Sequence, residues 1–215
     1  MVNEIKIKKK SFILLLALIV TLPTLIILWI YLFQPGISVK NQASSDISGF
    51  NLEAKFKVLS EARTNFCVGP DVFDRVDTEK LQGSCCSAMD FHRYKEQIEG
   101  LANIKEKNSY IGRDLELIPD DPYDISRELA DKLLQYQKTI QLSQEQQKIY
   151  EEAMKLSHEG GPCCCKCWRW YAFEGQAKKL IRDYGFTSEQ IAELWDLEDG
   201  CGGSGHMHVE GIGEH

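Results

Sequence analysis

The first hydrophobic feature of the chain is a run of 23 residues, 11–33, without a charged side chain, directly after a basic segment, residues 1–10. A helix rises about 1.5 Å per residue, so this run is long enough to cross a hydrocarbon core of about 30 Å. It is too long for the hydrophobic region of a cleaved signal peptide, and no small-residue cleavage pattern follows it. The pattern predicts an uncleaved single-pass transmembrane helix, a signal anchor, over residues 11–33.

The distribution of positive charge predicts the orientation of this anchor. Basic residues next to a membrane span stay on the cytoplasmic side, so residues 1–10 are expected inside and the rest outside, at the cell membrane. Residues 34–50 are rich in Gly, Ser and Asn and predict a flexible stalk. We expect one extracytoplasmic domain over 51–201 and a flexible Gly/His tail over 202–215.

Within residues 51–201, apolar side chains recur at helical intervals, and the alternation typical of strands is missing. Residues 103–124 are expected to be a loop, because Pro119 and Pro122 break regular structure. A helix is also predicted from Pro162 to a stop at Gly185. The pattern predicts an all-α domain of five or six helices. The other expected N-caps are Asn51, Ser87, Asp124, Ser143 and Thr187.

Net charge narrows the range of partners. The chain carries a formal charge of −7, and its first 33 residues contribute +3, which leaves −10 for the exported part. An acidic domain of this kind disfavours nucleic acid and anionic lipid headgroups as partners. It remains compatible with a metal ion or another protein as partner, beside the membrane that holds the anchor.

Eight cysteines are the main chemical feature of the domain, and four of them lie within residues 163–167. Adjacent Cα atoms are about 3.8 Å apart, too close for an ordinary disulfide, so each of these four would need a distant partner. Exported proteins meet an oxidising environment, and four distant cysteines are present, which favours structural disulfides. The disulfide candidates are Cys67, Cys85, Cys86, Cys163, Cys164, Cys165, Cys167 and Cys201.

A soft-metal site is the second interpretation of the same residues. On a helix that begins at Pro162, Cys163, Cys164 and Cys167 would lie within one arc, and Cys165 would lie on the opposite side. Cys85 or Cys86 would complete four sulfur ligands. Such a set suits Zn²⁺, Cu(I) or an iron–sulfur cluster.

Thiol–disulfide exchange is the third interpretation. Cys164 and Cys167 form a C-x-x-C pair, in which Cys164 would attack and Cys167 would resolve the mixed disulfide. The usual setting of this pair is a βαβ unit, and no strand is predicted before Pro162. The alternative function is therefore an extracytoplasmic thiol–disulfide oxidoreductase or redox sensor.

Two further groups of residues, in the tail and in an acidic segment, could bind a metal ion or could simply be solvent-exposed. In the tail, His206, His208 and His215 could join Cys201 around Cu²⁺ or Ni²⁺, although glycine-rich tails are usually disordered. An acidic segment could bind Ca²⁺, but its spacing does not match an EF-hand, so a solvated loop is favoured. That segment contains Asp71, Asp74, Asp77 and Glu79.

The aromatic residues beside the cysteines also allow two interpretations. Trp168, Trp170 and Tyr171 could pack in the core, since aromatic rings bury large areas and accept sulfur at their edges. They could instead form a binding surface for a partner. His92 is expected to be an ordinary surface histidine.

No sequence motif of a familiar enzyme is present: the chain lacks a nucleophile elbow, a phosphate loop, H-E-x-x-H and a dinucleotide fingerprint. This favours a binding module over an enzyme. The sequence therefore predicts a membrane-anchored, cysteine-rich helical module whose cysteines form either disulfides or a thiolate metal site.

Overall fold

The structure is a computed structural model that describes residues 42–202, with side chains from residue 51 onward. The predicted anchor, residues 11–33, lies outside the described residues, as do segment 1–10, the tail after residue 202 and the tail histidines. None of the described helices is both long and apolar enough to span a membrane. The chain divides into two compact units, residues 1–46 and 47–215, and the elements below belong to the second apart from the start of the first helix.

The described residues are mostly helical, as the periodicity predicts, and they include one two-stranded antiparallel sheet that it does not predict. In this sheet Leu81 pairs with Ile125. A 3₁₀ helix over Ser109–Leu117 is broken at Gly112 by a positive φ. The elements are α1 (Gln42–Glu61), α2 (Val72–Arg75), β1 (Lys80–Gln82), α3 (Phe91–Lys107), the 3₁₀ helix, β2 (Asp124–Ser126), α4 (Arg127–Thr139), α5 (Gln144–Leu156), α6 (Trp168–Tyr184) and α7 (Ser188–Glu198).

Local sequence signals correctly predict where two helices begin and where one helix ends. Ser143 begins α5 and Thr187 begins α7, each within a reciprocal capping box that satisfies free N–H groups of the first turn. Gly185 ends α6 in the left-handed conformation at φ 67°, where its N–H donates to Ile181.

Three predicted N-caps are wrong. Helix α1 already begins at Gln42, so Asn51 lies inside it and positions 42–50 of the predicted stalk are helical. Asp90, rather than Ser87, caps α3, because the Ser87 N–H instead donates to Cys201 O at 2.9 Å. Asp124 lies in strand β2, and Ser126 caps α4.

The predicted loop over 103–124 is also partly wrong. Helix α3 continues to Lys107, and the 3₁₀ helix occupies most of the segment that follows. The two prolines that suggested a loop lie after this 3₁₀ helix, in the connection to β2.

The prediction of a helix from Pro162 needs the largest correction, since α6 begins only at Trp168. Gly161 has φ 153°, far from helical, and the ring of Trp170 occupies the space where a Cβ would be. The Trp168 N–H donates to Val68 O at 2.6 Å, a contact between distant segments. Residues 161–167 therefore form a loop, and the predicted helical arc of cysteines does not exist.

Helix α6 passes through the centre of the main core. Phe173, Ala177 and Leu180 on this helix are fully buried, as is Leu194 on α7. Helices α4 and α6 approach so closely that a Cβ on Gly175 would lie 2.0 Å from the Leu133 carbonyl oxygen. This packing holds the start of α6, and the cysteine loop before it, in a fixed position.

Candidate functional site: the cysteine cluster

Four separate segments bring all eight cysteines together, and we call this set the cysteine cluster. Cys67 follows α1, Cys85 and Cys86 follow β1, residues 163–167 precede α6, and Cys201 follows α7. Sulfur-to-sulfur contacts link these segments to one another. The sequence predicted that distant cysteines meet beside the start of this helix.

Backbone and polar contacts hold the segments in register. The carbonyl oxygen of Cys201 accepts hydrogen bonds from Ser84 Oγ at 2.7 Å and from Ser87 Oγ at 3.0 Å. The Cys85 N–H donates to Gly200 O at 3.2 Å. These contacts join the turn after β1 to the end of α7.

Two buried side chains join the remaining segments to α6. The Trp168 indole N–H donates to Asn65 Oδ1 at 3.0 Å, and the Asn65 amide donates to Gly83 O at 2.8 Å. Both residues are buried, so these hydrogen bonds lie away from water. They place the segment of Cys67 and the turn after β1 against the cysteine loop.

The shortest sulfur contacts cross between segments. Cys67 Sγ lies 2.9 Å from Cys165 Sγ, and Cys164 Sγ lies 3.1 Å from Cys201 Sγ. Cys201 Sγ also lies 3.3 Å from Cys163 Sγ. The cysteine loop therefore touches two distant parts of the chain through its sulfur atoms.

Longer contacts complete the network. Cys85 Sγ lies 3.6 Å from Cys86 Sγ and 3.7 Å from Cys201 Sγ. Cys163 Sγ lies 3.7 Å from Cys167 Sγ. No disulfide bond joins any two of the eight cysteines in this structure.

Within the cluster, ligand atoms fall into groups of three that lie within 4.8 Å of one another, the separation expected of atoms that share a metal ion. The groups are Cys67, Cys86 and Cys165; Cys85, Cys86 and Cys201; Cys163, Cys164 and Cys165; and Cys163, Asp199 and Cys201. Three of the groups contain only sulfur. Cys86 and Cys165 each belong to two of these all-sulfur groups.

The cluster has a buried side and an open side. Cys163, Cys167 and Cys201 are at most 4% exposed, whereas Cys67 and Cys86 are exposed. Cys164 is exposed as well, and Cys85 is half-buried. A cavity of about 470 Å³ opens beside Cys85 and Cys86 and is also lined by Phe66 and Met89. A small ion can therefore reach the sulfur atoms from solvent.

A buried positive charge lies beneath the cluster. Arg169 is 0% exposed, and its guanidinium lies 5.3 Å from the Trp168 ring centre and 5.2 Å from that of Phe173. In the described part of the chain its hydrogen bonds go to the backbone carbonyls of Pro122 and Glu198, and its Nη1 has no hydrogen-bond partner. No side-chain anion thus meets this cation directly.

Electrostatics couple this arginine to the sulfur atoms. Burial lowers the pKa of Arg169, but coulombic attraction to the thiolate forms of four cluster cysteines outweighs burial and raises the pKa above its ordinary value. The nearby Glu198 does not provide the counter-charge for Arg169. Burial raises its pKa well above the ordinary value, although a hydrogen bond from Gln176 favours the ionised form. Glu198 is therefore neutral more readily than an ordinary carboxyl group.

Cys167 ionises more readily than an ordinary thiol. Hydrogen bonds from the thiols of Cys163 and Cys85 lower the pKa of Cys167 to about 2. The same hydrogen bonds raise the pKa of Cys163 and of Cys85, because those thiols must keep their protons to donate. These hydrogen bonds favour the thiolate form of Cys167, the N-cap of α6.

All five predicted metal ligands belong to the cluster, but their arrangement differs from the prediction. Cys165, which a helix would have placed on the opposite side, shares a ligand group with Cys163 and Cys164. In the described contacts, Cys164 Sγ meets Cys201 and Cys167 Sγ meets Cys163, so the C-x-x-C pair is not in contact with itself.

Of the three aromatic residues proposed as a binding surface, Trp168 is fully buried and offers no surface to a partner. Trp170 packs against the cluster, and Lys166 Nζ lies 5.5 Å from its ring centre. Tyr171 is half-buried against the main core. Trp168 therefore packs in the main core, and Trp170 packs against the cysteines.

The structure adds little support for the other candidate sites, His92 and the acidic segment. His92 is 75% exposed and pairs with Glu96 at 3.1 Å, as expected of a surface histidine. Among the described residues, every ligand group contains cysteine, and Asp71 of the acidic segment pairs with Arg75.

Sequence reasoning places the positive charges of Lys166 and Arg169 beside the cysteines, where they favour thiolates, but it missed the burial of Arg169 and the presence of Asp199 in the site. No local pattern shows that an arginine in a helix is buried, and an aspartate before glycine is ordinary. Comparison with protein-family models, curated proteins and solved structures found no match for the chain.

Proposed function

We propose that this domain is a binding module for soft metal ions, and that the cysteine cluster holds them as thiolates. The observation that supports the proposal most is the gathering of eight cysteines from four segments into one connected network. Thiolates are the protein ligands that Cu(I), Zn²⁺ and iron–sulfur clusters prefer.

Sulfur spacing is compatible with shared ions. A Zn–S bond of about 2.3 Å in tetrahedral geometry separates two sulfurs by about 3.8 Å. The 3.6 and 3.7 Å contacts of Cys85 with Cys86 and Cys201 lie close to that value. Small movements of the exposed cysteines would bring the shorter contacts into the same range.

The buried arginine favours thiolates over disulfides. A buried charge without a counter-charge is strongly unfavourable. Disulfides are neutral and would leave the Arg169 cation without an anion, since its hydrogen bonds in the described structure go to backbone carbonyls. A metal–thiolate cluster carries net negative charge when thiolates outnumber the charge of the bound ions, and it would balance this cation.

The proposal includes the predicted location. The uncharged run over 11–33 after a basic segment supports a membrane anchor, with the cysteine domain on the extracytoplasmic side. A metal module anchored there would meet ions outside the cytoplasm.

Structural disulfides are the second candidate, and the shortest contacts favour it. Cys67–Cys165 and Cys164–Cys201 pair distant segments at 2.9 and 3.1 Å, and both pairs include exposed thiols that an oxidant can reach. Thiol–disulfide exchange gains less support, because the readily ionised sulfur, Cys167, is buried and does not contact Cys164.

Thiol counting together with elemental analysis separates these candidates. The full chain would be purified in mild detergent without oxygen or chelator, then divided for metal analysis and for thiol titration after denaturation. We expect eight reactive thiols and a stoichiometric soft metal. A His92→Ala variant, which changes a surface histidine, should give the same result. Four disulfides and no metal would reject the metal proposal.

A further inference from the structure

We propose that the cluster binds several Cu(I) ions in one thiolate-bridged assembly, a proposal that rests on the soft-metal function above. The ligand groups carry the argument. Each contains three ligand atoms. Tetrahedral S₄ sites are typical of Zn²⁺ and iron–sulfur centres, whereas three sulfurs suit the lower coordination number of Cu(I).

Shared members of the groups indicate bridging. Cys86 belongs both to the group with Cys67 and Cys165 and to the group with Cys85 and Cys201. Cys165 belongs both to the group with Cys67 and Cys86 and to the group with Cys163 and Cys164. A sulfur that serves two groups must bond to two ions when both groups are filled. The three all-sulfur groups thus describe three neighbouring ions joined through Cys86 and Cys165.

The donor set also selects a soft monovalent ion. The groups of Cys67, of Cys85 and of Cys164 offer only sulfur ligands. Among the four groups of described residues, the one carboxylate is that of Asp199, in the fourth group. Sulfur-only sites select against the harder divalent ions that prefer oxygen or imidazole. Each bond forms as a thiol loses its proton to water and the resulting thiolate donates an electron pair to Cu(I), without any change of oxidation state.

The test is an anaerobic titration of the reduced full chain in detergent with Cu(I), in competition with a chromogenic Cu(I) chelator, followed by X-ray absorption of the loaded protein. We expect a plateau of about three ions per chain, sulfur-only coordination and a copper–copper scattering shell. A plateau at one ion, or scattering without copper–copper contact, overturns the cluster while the soft-metal function stands. No uptake of Cu(I), Zn²⁺ or iron by the reduced chain rejects both.

Matched variants test the bridging residues. Cys86→Ser removes a sulfur from two groups, whereas Cys67→Ser removes one from a single group, and both residues are exposed, so neither change should disturb folding. We expect Cys86→Ser to lower the plateau by about twice as much as Cys67→Ser. Equal losses from the two variants would rule out bridging at Cys86.

Discussion

At the scale of single residues, Arg169 determines the charge of the site. It lies in the first turn of α6, fully buried between Trp168 and Phe173, and Gly200 packs against it so tightly that a Cβ there would lie 2.4 Å from its Cζ. A side chain enclosed in this way cannot turn toward water. Its charge is therefore a fixed part of the environment of the cluster.

Replacing this arginine should weaken metal binding. Arg169→Met keeps a long apolar stem and removes the charge that balances the thiolates, so we expect Cu(I) affinity to fall about tenfold or more, a change of roughly 1.4 kcal/mol or more. Competition with a Cu(I) chelator measures the affinity, and circular dichroism checks the fold.

Lys166→Met is the matched control for this variant. Lys166 is exposed within the cysteine loop, and water screens its charge, so its loss should change the affinity by less than about threefold. If both variants weaken Cu(I) binding equally, general surface charge explains the effect and Arg169 has no special role.

At the scale of elements, the contact between α4 and α6 fixes the position of the cysteine loop. Gly175 lets the two helices meet, since its missing side chain leaves room for the backbone of α4 at Leu133 and Gln137. Helix α6 continues directly from this contact back to Cys167, its N-cap. Displacing α6 would therefore displace the cluster.

Adding one methyl group at this contact should destabilise the domain. Gly175→Ala forces apart two backbones, which are stiff, so we expect the free energy of unfolding to fall by about 1–3 kcal/mol. Chemical denaturation followed by circular dichroism measures the change.

Gly100→Ala provides the comparison within another helix interior. Its Cβ would meet only the side chain of Leu197, which can move, and alanine favours helix by about 1 kcal/mol over glycine. The domain should tolerate this change with little loss of stability. A loss as large as that of Gly175→Ala would show that close backbone approach is not the cause.

The elements that the sequence predicts well are those whose signals are local. The capping boxes at Ser143 and Thr187 and the stop at Gly185 depend on residues within one turn, and all three are confirmed. The start of α6 depends on a hydrogen bond from Trp168 to Val68, a residue far away in sequence. No periodicity can reveal that contact.

The composition of the site was predictable, but its geometry was not. Cysteine count and compartment indicated that the distant sulfurs meet the cysteine loop, and the structure brings them together. The role of Cys165 was misjudged because a helix was assumed where Gly161 imposes a loop. The buried arginine has no sequence signal, since its burial results from packing between α6 and the end of α7.

At the scale of the whole molecule, the cluster joins segments that are far apart along the chain. Because these contacts exist only in the folded domain, ions that bind there stabilise the fold by mass action. At free Cu(I) 100-fold above the dissociation constant, we expect each bound ion to add about 2.7 kcal/mol to the free energy of unfolding. Thermal or chemical denaturation with and without buffered Cu(I) measures this gain.

The gain should depend on pH in a defined direction. Thiols with raised pKa, such as Cys163 and Cys85, must lose protons to bind the ion, so protons compete with the metal. The metal-dependent stability is therefore largest at high pH and shrinks as pH falls. A gain that stays constant between pH 8 and pH 5 would contradict thiolate ligation.

The place of Cys201 in the cluster also has a consequence for biosynthesis. This cysteine contacts three of the others and accepts, through its carbonyl, the hydrogen bonds that hold the turn after β1. A chain still on the ribosome without residue 201 has the earlier cysteines but not the residue that closes the network. A metal site that includes Cys201 would therefore form only after this residue has been translated and has packed against the other segments.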